Sequence, residues 1–310
     1  MSIVLGVGIV AVAIAAGIWI VRSLQAPGGG SAISPRTTAP PVTMVMSGRL
    51  IYHFAVAPDG ERLAFTAIAG GGQRQLWVRS LTAADERPLP GTDGAAHPFW
   101  SSNSQSIAYF SGGMLFRVRA SGGAPTVVAT GAGTSGGAWK DDVIVFARDA
   151  GGGPLYQVAA SGGPPAPVTG LGAGESSHAW PVFLPDGHRF LYTMRPAGDG
   201  EPRVYLGAPG GADRQAVLAD AAGVAVGDGY IVYIRDAALT VQPFDVASLT
   251  PSGDPFRVAD GAPSQPGDDG VRAFSLSADG ILAYQVGPAE GEGDFAGPVT
   301  LVDWRSIVQR

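Results

Sequence analysis

The chain has 310 residues, 45% hydrophobic and 15% charged, with 47 Gly, 25 Pro and no Cys. So much Gly and Pro excludes a helical bundle, while the apolar content excludes a disordered chain; short strands joined by turns remain. A net charge of −6 offers no cationic face for phosphates, so nucleic acid is not expected as a partner, and without Cys there are no disulfides or thiolate metal sites.

In chain order, Ile3 to Val21 is an unbroken apolar run closed by Arg22, with Trp19 near one end. Its length suits one crossing of a bilayer, and only Met1 and Ser2 precede it, too little for the basic start of a secretory signal. A transmembrane helix is expected over 1–22. Residues 23–47 read as a Gly/Pro/Ser-rich tether, APGGGSAISPRTTAPP at its centre, leading to a domain over 48–310.

That domain repeats. FAVAPDGERLAFTA (54–67) has counterparts at 98–111, 137–147, 181–194, 224–234 and 274–285. Each is an apolar run, a polar or Gly turn and a second apolar run closing on an aromatic: Phe65, Tyr109, Phe146, Tyr192, Tyr233 and Tyr284. A spacing of about 40 residues is that of a four-stranded propeller blade. Hairpins follow each unit, with Gly122-Gly123, Gly162-Gly163 and Gly210-Gly211 supplying the positive φ of tight turns. The expected fold is all-β, a six-bladed β-propeller of four-stranded antiparallel blades. The sixth unit ends with its third strand near Val299 to Trp304, so a strand from elsewhere must complete it; Val42 to Met46 or Ile307 to Gln309 is expected to do so.

The turns APDG, LPDG and SADG resemble those of TolB-type, WD40-like (PD40) repeats. The succession RQLWVRSL, SGGMLFRVRASGGAP and SSHAWPVFLPDGHRFLYT is similar to the extracytoplasmic propeller of bacterial receptor-type serine/threonine protein kinases. The resemblance covers about residues 50 to 304. It implies a kinase domain before the span, and this chain has no kinase motifs. Two features depart from the family: blade two has SSNS for SPDG, and the last strand reads LVDWRS.

Three of the four His, His53, His97 and His178, stand just before the first strand of a blade, where they line the channel mouth. His53 and His97 occupy the same place in their units; His178 falls two positions earlier. Trp100 and Trp180 join them as channel-lining binding residues. Asp59, Asp186, Asp228 and Asp279 are explained by Asp-Gly turns, and the acidic stretches Asp268-Asp269-Gly270 and Glu290 to Asp294 lack calcium-loop spacing. No catalytic residue, cofactor or metal is expected. The expected function is a non-catalytic, membrane-tethered ring that binds an unknown protein or small-molecule ligand, the sensor part of a receptor kinase. It is placed in the bacterial inner membrane, with the propeller outside. The alternative is a propeller lyase or hydrolase using the channel-mouth His cluster; His and metal work together there in some propeller lyases.

Overall fold

A computed structural model describes residues 42–44, 50–68, 72–83, 85–148, 152–209, 214–227, 229–261, 274–286 and 298–304. The chain divides into units 1–36 and 37–310, and every described residue belongs to the second. The apolar run of residues 3–21 lies outside the described residues, as do Gly210-Gly211, Asp228 and both acidic stretches. Among the described residues no helix is long and apolar enough to cross a membrane.

Six antiparallel sheets follow one another along the chain. Their first strands are Ile51–Val56, Ala96–Trp100, Gly137–Lys140, Glu175–Phe183, Ala222–Gly227 and Phe274–Leu276. Each contacts the next, and the last returns to the first, which closes a six-bladed propeller around a channel. Blade one shows the plan: Ile51–Val56 pairs with Arg62–Ile68, that strand with Arg74–Ser80, and that with Glu86–Pro88. In blade five the third strand, Ala238–Asp245, is covered by two pieces, Thr250–Pro251 and Phe256–Asp260.

The ring is closed from the N-terminal side. Val42–Met44 pairs with Val299–Asp303 as the outer strand of blade six, with Val42 opposite Leu301 and Met44 opposite Val299. An edge left open there would expose unpaired N–H and C=O groups. One of the two closures expected from sequence is therefore the one the chain adopts.

The core consists of six apolar layers, one between each pair of neighbouring blades. Phe65, Tyr109, Phe146, Tyr192 and Tyr233 are fully buried in these layers, while Tyr284 is half-buried. A strand with a sheet on either face buries both sides of its pleat, which is why these strands read as apolar runs without clean alternation. Trp139 is only half-buried, its indole N–H donating to the Asp141 carbonyl at 2.9 Å, so its place is at the rim of a layer.

The turns after the first strands share one geometry. Gly60, Gly187 and Gly280 lie at φ of 69°, 71° and 96°, and each donates its N–H to the residue three earlier. In the departing SSNS turn Ser104 takes that place at φ 58°, donating to Ser101 at 2.9 Å. Its hydroxyl accepts the Asp59 N–H at 3.1 Å and its carbonyl accepts Arg62 at 2.8 Å, so the strained serine ties blade two to blade one. The turn aspartates do structural work. Burial opposes ionisation of Asp59, but bonds from Arg62 and the Glu61 N–H outweigh it and hold the carboxyl below its ordinary range.

Candidate functional site at the channel

The first strands bring one ring position to the channel. Counting four residues back from the first residue of each turn gives His53, His97, Gly136, Trp180 and Gly223 in blades one to five. In blades one, two, four and five the strand carries a β-bulge beside or at this position, between Ile51 and His53, Ala96 and Phe99, Ala179 and Val182, and Ala222 and Val224. A bulge inserts one residue and re-aims the side chain, here toward the axis. The backbone is left-handed at His97 (φ 44°), Gly136 (84°), Trp180 (53°) and Gly223 (57°). Glycine adopts this conformation without strain, whereas a side chain there costs on the order of 1–3 kcal/mol. His97 and Trp180 are also followed by Pro98 and Pro181, which restrict them further.

Their side chains meet. The rings of His53 and His97 are 3.8 Å apart between centroids, and Trp180 stands edge-on to His97 at 5.2 Å. The Trp180 ring lies across blade three, where a Cβ on Gly136 would come within 2.3 Å of it, so that position accepts nothing but glycine. These residues face a cavity of about 320 Å³ whose wall also includes Trp100, Trp139 and Lys140. Lys140 and Trp139 belong to the turn end of the channel and the two His to the other end. Among the described residues lining the cavity there is no Asp or Glu.

His53 is buried, and burial followed by the charge of Arg74 lowers its pKa to about 3. It is a neutral imidazole at physiological pH. Its backbone N–H donates to the Thr66 hydroxyl at 3.2 Å, and that oxygen lies 3.2 Å from Nδ1. A hydroxyl both donates and accepts, so this contact fits either tautomer; in the one where Thr66 donates to Nδ1, the ring proton is on Nε2. His97 is half-buried beside it. The arrangement is a buried neutral imidazole next to a half-buried one on the cavity wall.

Of the five residues expected at the channel, His53, His97, Trp100 and Trp180 line the cavity and His178 does not. Trp100 is a wall: its indole N–H donates to the Ala55 carbonyl at 2.9 Å within the layer between blades one and two. His178 lies two residues before the ring position that Trp180 fills, and it is enclosed in blade four against Tyr192, with ring centroids 4.7 Å apart. Burial lowers its pKa to about 4. The parallel Pro-containing segments HPF and WPV are the signal in the sequence that Trp180 is the counterpart of His97. Three imidazoles on one ion are therefore not assembled, and among the described residues no three His, Asp or Glu come together as a metal site.

No family model and no curated protein matches the chain. Solved structures do. Oligogalacturonate lyase from Vibrio parahaemolyticus is similar at 14% identity and a TM-score of 0.51, covering 84% of this chain and 92% of that one. TolB from Acinetobacter baumannii is similar at 13% identity and a TM-score of 0.51 over 64% of this chain and 52% of that one. A chain of a nidogen/laminin complex is similar at 11% identity and a TM-score of 0.52, with 67% and 80% covered. At such identities the likeness is one of fold, and the TolB-like propeller read from the turns is the fold present.

The expectation of a non-catalytic ring is corrected by these findings. This ring, over nearly its whole length, has the architecture of a solved lyase, so the propeller gives no ground for setting catalysis aside. None of these three structures is of a receptor kinase.

Proposed function

We propose that this propeller is an enzyme of the lyase kind whose reaction centre is the His53–His97 pair and whose substrate is an acidic oligosaccharide. The observation that carries the reading is that pair: two imidazoles 3.8 Å apart on a cavity wall, His97 kept on a left-handed backbone where blades three and five have glycine. Hydrolysis of a sugar chain ordinarily requires two carboxylates flanking the bond, and no carboxylate is among the cavity's described lining residues. Elimination requires less. A base removes the proton next to the sugar carboxylate, and a donor stabilises the charge that develops on that carboxylate as the glycosidic oxygen leaves across the new double bond. His97 is the base. His53, kept neutral by its burial, is the donor, acting in the tautomer that carries the ring proton on Nε2. Lys140 gives the cavity wall a cation suited to an acidic chain, and Trp139 gives it an apolar surface for a sugar ring.

The test is the ultraviolet absorbance of the unsaturated uronate formed when the protein is mixed with oligogalacturonides. Wild type is expected to generate it, with H97Q slowed by roughly 100-fold or more. Absence of product, or an equal rate in a folded H97Q variant, overturns the reading.

We also infer that residues 3–21 anchor the protein in a bacterial inner membrane with the ring outside the cytoplasm. The uninterrupted apolar run and the polar tether after it support this. A phosphatase that is active only after export, fused behind Gln309, is expected to be active; activity of a cytosolic reporter in its place contradicts it.

A further inference from the structure

His178, the histidine that the channel does not use, belongs to a chain of polar groups running from the surface into blade four. Thr169 Oγ1 is 2.8 Å from His178 Nδ1, and His178 Nε2 is 3.2 Å from Glu175 Oε2. An ionised Glu175 can only accept, so the ring proton lies on Nε2 facing it and Nδ1 accepts the Thr169 hydroxyl's hydrogen, while the Leu155 N–H donates to the Thr169 oxygen at 2.8 Å. Glu175 is fixed in turn: its Oε2 accepts the Gly172 N–H at 2.6 Å and its Oε1 accepts Arg214. His178 and the Glu175 side chain are buried, whereas Thr169 is half-buried and followed by the exposed Gly170, beside whose α-carbon there is open space. Among the described residues the amide N–H of Gly170 makes no hydrogen bond.

Hydroxyl, imidazole and carboxylate in series are the parts of an activated nucleophile: the imidazole takes the proton, and the carboxylate stabilises the imidazolium that forms. Here Nδ1 faces the hydroxyl and Nε2 the acid, which leaves the proton path intact. We propose that Thr169 is a nucleophile for acyl transfer from esters, with His178 as its base and Glu175 as the residue that positions the base, at a site separate from the His53–His97 pair. The Thr169 oxygen bonds to the acyl carbon as its proton passes to His178 Nδ1. The ester's alcohol departs carrying that proton, leaving an acyl-threonine. Water then adds with His178 again taking a proton, the carboxylic acid is released and the threonine hydroxyl is restored. The Gly170 N–H, next along the chain, is the nearest candidate donor to the oxyanion of each tetrahedral step.

A fluorophosphonate probe reports the first half of this path, since the oxygen bonds to phosphorus as fluoride leaves. Incubated with the full chain and followed by peptide mass spectrometry, it is expected to label Thr169. Labelling is expected to persist in T169S and in H97Q, and to fall at least tenfold in T169V and H178Q, each checked by thermal melting to be folded. Absence of the adduct in folded wild type, an adduct only at other residues, or an undiminished adduct in folded H178Q overturns the proposal. Because H97Q leaves this site untouched, the outcome is independent of the elimination assay.

Discussion

At the position His97 occupies, the usual ordering of small residues should reverse. In most of a strand alanine is preferred to glycine, but at φ 44° a Cβ is strained, and Gly136 and Gly223 stand at the same place in neighbouring blades. The H97G variant is therefore expected to be more stable than H97A by ~1 kcal/mol, measured by denaturant melting. The opposite order contradicts the strained geometry. The two buried histidines set a pH response. His53 and His178 have pKa values of about 3 and about 4 in the folded chain, against 6.5 in an exposed one. Between those limits the unfolded chain binds protons that the folded chain refuses, so stability is complete above about pH 6.5 and declines as the pH falls toward 4. The slope approaches at most ~1.4 kcal/mol per pH unit for each histidine. Melting temperature against pH is expected to show this decline and to flatten in H53Q; a profile level between pH 6.5 and 4.5 contradicts it.

The strands of this ring are written plainly in the sequence, and their irregularities are not. Each blade buries both faces, so its first two strands appear as apolar runs separated by a turn and closed by an aromatic, and five of the six aromatics are fully buried where the repeat places them. Bulges leave no such mark, because one inserted residue changes which face a side chain takes without changing composition. That is why His178, only two positions off the pattern, falls in with His53 and His97 by sequence although the bulge gives its place at the channel to Trp180. Thr169 and Glu175 are not legible in the sequence for a similar reason: they meet His178 through a loop between blades, and nothing in their spacing signals it. Ring closure was legible because the sixth unit lacks a strand. Deleting Val42–Met44 removes a three-residue ladder and is expected to lower stability by ~2 kcal/mol, read from denaturant unfolding. An unchanged midpoint would mean that the edge of blade six is satisfied by another segment.

For the whole molecule, the proposed elimination site lies where the blades converge, with different side chains on one shared backbone position. Histidine in two blades, tryptophan in a third and glycine in two others make an asymmetric mouth from a repeated fold, which suits one bound orientation. The chain's four histidines make this mouth directly observable: His53 and His97 face it, His178 is enclosed in blade four, and His188 lies in the turn closed by Asp186. In the imidazole NMR spectrum of the protein titrated with a trigalacturonate, the signals of His53 and His97 are expected to move together while those of His178 and His188 stay in place. A spectrum in which the His53 and His97 signals do not move, or in which only His188 responds, contradicts a reaction centre in the channel.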